Sequence, residues 1–234
     1  MLENLKKDLA KVANREKAIF LKRFFKAGKG DYAEGDILIG VTVPKTRKIV
    51  SKYRSMPLVE VGQLLKSPIH EHRLAALLIL VWQFEHGNPQ QQEKIYKLYL
   101  RNTKYINNWD LVDSSAPYIV GGYLLNQKNR SILDTLALSN NLWKQRIAML
   151  ATYQMIKQKE FGDALRIAQL LLPHKHDLIH KAVGWMLREV GNRDLAVEEK
   201  FLKKHYKTMP RTTLRYAIEK FPVARRQKYL KGEI

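Results

Sequence analysis

Apolar residues recur at three- and four-residue spacings along almost the whole chain. That is the spacing that lines one face of an α-helix. Leu2, Leu5, Leu9 and Val12 mark the buried face of a first helix. Ala18, Leu21, Phe24 and Phe25 mark a second, with Asn14 placed as its N-cap. The same pattern predicts helices over Pro44–Arg54, Pro57–Lys66, Ile69–Glu85, Pro89–Asn102, Trp109–Leu125 and Ser131–Leu138. It continues over Leu142–Lys157, Phe161–Leu172, Leu178–Val190, Leu195–Tyr206, Arg211–Phe221 and Val223–Lys231. Ile37–Val43 is the one segment that reads as a short strand, and one strand makes no sheet. The intervening turns are short and carry Gly or Pro, as at Gly28–Gly30, His86–Pro89 and Pro173–His176. No long Ser/Gly/Pro linker divides the chain, which therefore reads as a single all-α domain over residues 1–234.

The helices repeat. HRLAAL at His72–Leu77 has counterparts in QRIAML at Gln145–Leu150 and HKAVGW at His180–Trp185. Aligning Arg73, Arg146 and Lys181 leaves a fourth copy near position 109, where the chain reads NWDLVD, Asn108–Asp113. A period of about 36 residues fits stacked helical pairs of the HEAT or armadillo type, slightly shortened. Each pair cannot bury its own apolar face, so the expected architecture is a HEAT-like solenoid with a concave surface. The copies also show where the pattern breaks. One turn after the aligned position, Leu77 and Leu150 give way to Asp113 and Trp185, and at the aligned position itself Trp109 replaces a base. Trp109 and Asp113 share a helix face at i and i+4. If equivalent helices stack, Trp109, Asp113, Arg146 and Trp185 gather on one side. A carboxylate in place of a packing leucine, flanked by indoles, is the kind of local violation that concentrates at functional sites.

Charge narrows the chemistry. The 234 residues carry 42 Lys and Arg against 22 Asp and Glu, a formal charge of +20. Such an excess calls for a polyanionic partner, nucleic acid first and an anionic membrane surface second. The basic cleft is expected to draw on Lys45–Arg54, with Lys45, Arg47 and Lys48, and on Lys200–Lys231, with Arg211 and Arg215. No apolar run is long enough to span a bilayer. The first residues alternate charges without an apolar signal core, so a cytoplasmic chain is expected. There is no Cys, which excludes disulfides, thiolate catalysis and Cys-ligated metals. His70, Glu71 and His72 are consecutive and diverge on a helix, and GKGDYAEGD is not a phosphate-binding loop, so no metal or cofactor is expected.

Two indoles around a carboxylate suit a cation, since Trp faces attract positive charge best. On a basic protein that cation arrives on a polyanion, and an N3- or N7-alkylated purine in a nucleic acid is such a group. It leaves without a general acid; one ionised Asp can stabilise the sugar oxocarbenium and place a water.

NNWDLVDSSAPYIVG (Asn107–Gly121), NLWKQRIAML (Asn141–Leu150), HKAVGWMLREVG (His180–Gly191) and GKGDYAEGDILIGVTVPKTRKI (Gly28–Ile49) closely resemble the DNA alkylation repair family of the AlkD type. The resemblance implies a HEAT-like solenoid holding duplex DNA and a monofunctional glycosylase for cationic N3- and N7-alkylpurines, without metal or cofactor. It implies Asp113, Trp109 and Trp185 as catalytic residues. By the same resemblance Arg146 would contact the backbone beside the lesion, and Phe24 stands where the family pattern has Tyr; Lys181, Arg188, Arg73, Lys45, Arg47, Lys48, Arg211 and Arg215 are expected, with these two, as DNA-binding residues. The partner would be double-stranded DNA with alkylated bases, and the protein a monomer without an obligate protein partner. The alternative is a non-catalytic solenoid that binds structured DNA or RNA, for which Asp113 beside phosphates has no use.

Overall fold

The sequence LAALLILV lies within a helix from His70 to His86 whose residues 70–80 are all buried. A helix that is apolar on every side belongs in the middle of a bundle. The computed structural model, which describes all of residues 1–234, puts it there. The chain is all-α, a helical-repeat fold with no strands.

Two compact units divide it, Met1–Ile119 and Val120–Ile234. In the first, α1 (Leu2–Lys11), α3 (Val43–Val50), α4 (Leu58–Leu65), α6 (Pro89–Arg101) and α7 (Trp109–Asp113) all pack on the central α5 (His70–His86). Helix α2 (Arg15–Phe24) completes this unit and buries none of its own residues. In the second, α13 (Asp177–Gly191) is central. Packed on it are α10 (Leu142–Ala151), α11 (Tyr153–Lys157), α12 (Gly162–Leu171), α14 (Leu195–His205) and α15 (Arg211–Ala217). Helices α8 (Gly122–Leu125), α9 (Ile132–Ala137) and α16 (Val223–Lys231) complete it.

Local chemistry sets the boundaries. Asn14 accepts from Lys17 N at 2.8 Å as the expected cap of α2, and Asn88, Asn141 and Asp194 cap α6, α10 and α14 in the same way. The aligned repeat positions 73, 146 and 181 fall in the N-terminal turns of α5, α10 and α13, and Trp109 opens α7. Gly184 lets α13 press against α15: a Cβ there would sit 2.5 Å from the Thr213 carbonyl oxygen and from Tyr216 Cβ.

Three expectations are corrected. The strand at Ile37–Val43 is an extended loop with a single bridge from Ile37 to Ile69. The Glu71 carboxylate, rather than a neighbouring strand, takes the N–H groups of Ile39, Gly40 and Val41. Gly40 is obligatory there, at φ +82° with Asn14 O only 2.0 Å from where a Cβ would stand. The continuous helix expected over Trp109–Leu125 stops at Asp113. Ser114 and Ser115 donate back to the carbonyls of Asp110 and Leu111, and Pro117 has no N–H, so the chain passes into a π-turn at Pro117–Gly121 before α8. Leu142–Lys157 is likewise interrupted at Thr152, whose hydroxyl donates to Met149 O at 2.7 Å.

Candidate active site

Each polar residue of NNWDLVD has a separate task. Asn107 donates to Asp36 and accepts from Arg73. Asn108 is fully buried; its Oδ1 caps α7 through Trp109 N at 2.8 Å and its Nδ2 donates to the Phe25 carbonyl at 3.1 Å. That clamp joins the start of α7 to the end of α2. Leu111 and Val112 are core. Trp109 and Asp113 lie at the two ends of α7, both half-buried.

Trp109 sits on aromatic rings. Phe24 meets it edge-on at 5.6 Å between centroids, and Phe25 meets it at 5.5 Å with a 42° tilt. Its half-open indole is held in place by this packing. Asp113 is within electrostatic reach of Tyr99. Burial drives the Tyr99 phenol well above its usual range, the Ser115 hydroxyl 3.0 Å away opposes this, and the Asp113 carboxylate adds to the rise.

Beneath the aromatic platform lies a buried ion network that sequence reasoning missed. His70 Nε2 donates to Asp110 at 2.9 Å and Nδ1 to Asp36 at 3.1 Å, while its ring stacks on Phe25 at 4.7 Å. Arg73 donates to the same Asp36 at 2.6 Å. Burial alone would lower the His70 pKa, but hydrogen bonds to Asp110 and Asp36 outweigh it and push the pKa up to about 9. Asp36 is held below the usual carboxylate range: burial opposes ionisation, and His70, Arg73 and Asn107 overcome it. The available signal was limited to Asp36 directly before the apolar ILIGV stretch and Asp110 between Trp109 and Leu111.

Arg73 is therefore corrected. It is 3% exposed, bound to Asp36, Asn107 and Ser67 O, and is no phosphate ligand. Arg146, 5% exposed, donates to Leu178 O and ties α10 to the first turn of α13 rather than standing free at the surface. Two of the three bases in the aligned repeat position, Arg73 and Arg146, thus serve the packing of helix starts. His70, Glu71 and His72 go to different partners, respectively the two Asp residues, the 39–41 backbone and Ser67.

Five of the other cations are accessible. Lys45, Arg47 and Lys48 are exposed on α3, and Arg211 and Arg215 on α15. Arg47 lines a cavity of about 410 Å³ with Arg54, Trp82 and Ser114, the residue after Asp113. On α13, Lys181, Trp185 and Arg188 are half-buried at i, i+4 and i+7, opposite the buried Ala182, Val183, Met186 and Val190. Lys181 pairs with Asp177 and Arg188 with Glu219. Phe24 stands 51% exposed.

The family model for "DNA alkylation repair enzyme" matches residues 5–221. The chain belongs to that family. Membership places it in DNA alkylation repair, with DNA as its partner. Among solved structures it is similar to a "Predicted DNA alkylation repair enzyme from Enterococcus faecalis". The TM-score is 0.70 at 14% identity, over 90% of this chain and 97% of that one, which is a likeness of fold. A search of the curated proteins finds no match. No helix is long and apolar enough to cross a membrane.

Proposed function

We propose that this family member is a monofunctional glycosylase that hydrolyses the N-glycosidic bond of cationic N3- and N7-alkylpurines in duplex DNA. The observation that carries the reading is the pairing on α7: a half-open indole held on phenyl rings at one end and a half-buried carboxylate one turn later. Trp109 binds the positively charged base through its face. The C1′–N bond breaks with its electrons going to the base, which leaves neutral. Asp113 opposes the positive charge that moves onto the sugar. Water adds at C1′, and its proton passes to the carboxylate or solvent. No acid is required, because the leaving group is already charged.

Exposed Lys45, Arg47 and Lys48, and Arg211 and Arg215, supply phosphate contacts. Trp185, in a repeat position that holds leucine in two other copies, is proposed as a further residue for the damaged nucleotide. The protein works as a monomer on chromosomal DNA in the cytoplasm.

The test is release of free base from duplex DNA containing 7-methylguanine, scored by chromatography under single-turnover conditions. Wild type should release it. Asp113→Asn, nearly isosteric but uncharged, should bind DNA normally and lose about 10²–10³ in rate. Wild-type release by the variant would remove Asp113 from the chemistry. Tight binding without release by wild type would favour the non-catalytic solenoid.

A further inference from the structure

Hydrolysis at Asp113 leaves the surface of α2 unexplained. Ile19 and Phe20 are 55% and 65% exposed, although both are large and apolar. Phe20 lies one turn before Phe24, and the two rings are nearly parallel, 14° apart in plane and 6.1 Å between centroids. Phe24 in turn meets Trp109 edge-on. A row of rings therefore leads from the cation-binding indole out to solvent. It is not there for the fold, because α2 is the one long helix without a buried residue.

Contiguous exposed aromatic surface marks a face that becomes covered. Its surroundings choose the cover. Helix α2 carries Arg15, Lys17, Lys22 and Arg23 against Glu16 alone, with Lys26 following, and the whole chain is at +20. An apolar wedge rimmed by cations fits nucleic acid, whose phosphates meet the rim while base faces meet the rings.

We propose that Phe20 is a stacking wedge: with Phe24 it packs against an unpaired base of the duplex beside the site held by Trp109. This rests on the reading that Trp109 faces the damaged nucleotide, but it concerns binding and not bond cleavage. A base that loses its neighbour or partner at a lesion exposes a π-face, and the Phe20 ring covers it. Phe24, tied edge-on to Trp109, fixes the direction of the row. The wedge thus favours damaged over intact duplex independently of the charge of the lesion.

The test uses the full chain and two duplexes, one intact and one with an uncleavable abasic-site analogue, titrated by fluorescence anisotropy. Phe20→Ala, Phe20→Leu and Phe20→Trp are compared with wild type; the position is exposed, so folding is unaffected. The Ala variant should lose about tenfold in affinity for the abasic duplex and stay within about twofold on the intact one. The Leu variant should resemble Ala, and Trp should restore wild-type binding. Equal abasic-duplex affinity of wild type and Ala overturns the proposal. So does full binding by Leu, which would mean a merely apolar patch. Loss of binding to anionic phosphatidylglycerol vesicles, with abasic-duplex binding intact, would assign the surface to a membrane instead. Because the abasic analogue cannot be cleaved, the result stands apart from excision: a Phe20-dependent preference in a protein that releases no base would keep the wedge and refute the glycosylase.

Discussion

His70 and Asp110 share a 2.9 Å hydrogen bond in a setting that excludes water, and through it the central helix of the first unit grips the short helix that carries Trp109 and Asp113. The imidazolium lies between two carboxylates, Asp110 and Asp36, with Phe25 stacked on its face. Removing the cation takes the side-chain partner from buried Asp110 and leaves Asp36 to Arg73 and Asn107 alone. His70→Ala should therefore destabilise the protein by about 3–5 kcal/mol, measured by urea unfolding.

The same group makes stability depend on pH. Its folded pKa of about 9 lies above the ordinary value of 6.5. Below pH 6.5 both states hold the proton and the contribution is complete. Above that the unfolded chain releases its proton first, so the folded state binds more protons and stability falls with rising pH. The contribution is gone once pH passes about 9. The urea midpoint of wild type should drop between pH 6.5 and pH 9; a flat profile would show that the pair is not ionised.

A second group in the other unit works in the same direction. Glu198 is buried on α14, and burial, with Glu199 nearby, raises its pKa to about 8 against an opposing Arg188. Its carboxyl fills the space beside Gly191, where a Cβ would stand 1.7 Å from Oε2. The folded state holds this proton above pH 4.5, where the unfolded chain gives it up, so stability is lost as pH rises toward 8. Glu198→Gln keeps the neutral form at every pH. The variant should show a shallower decline between pH 5 and pH 8 than wild type. Identical profiles would mean that Glu198 ionises freely in the fold.

The helical periodicity was legible because packing on α5 and α13 selects apolar residues at fixed spacing, and the NWDLVD anomaly stood out against the repeat. Position could not reveal partnership. Arg73 looks like a cleft base in the sequence, yet Asp36, 37 residues away, claims its guanidinium. Apolar spacing puts Phe24 on a buried face, yet it is half open, because α2 is held by Phe25 and the Asn108 clamp rather than by its own stripe. The long helix over 109–125 failed because back-bonding serines compete with the helix in a way that apolar spacing does not record.

Salt dependence separates the accessible cations from the buried ones. If Lys45, Arg47 and Lys48 each meet a phosphate, replacing all three by Ala should reduce the slope of log K against log salt by about 2–3. All three are exposed, so the fold should survive. Arg73→Ala should instead lower thermal stability, because it leaves Asp36 short of a partner. A triple variant with the wild-type slope would move the phosphate track away from α3.

In the proposed mechanism the charge of the lesion decides the chemistry at Trp109. A cationic purine gains a cation–π attraction of roughly 0.5–2 kcal/mol per indole face, and it leaves without protonation. A neutral base has neither advantage, and the proposed mechanism gives it no general acid. Both deficits act on the same transition state, so they multiply in the rate. DNA containing 3-methyladenine or 7-methylguanine should release its base, while uracil and hypoxanthine should remain attached. Trp109→Ala should slow release of the cationic bases by about tenfold, and Trp185→Ala should slow it as well. Trp109→Phe, which keeps a ring of weaker quadrupole, should fall between wild type and Ala. Uracil released at a rate comparable to 7-methylguanine would mean that a proton donor operates in the site and that Trp109 does not select by charge.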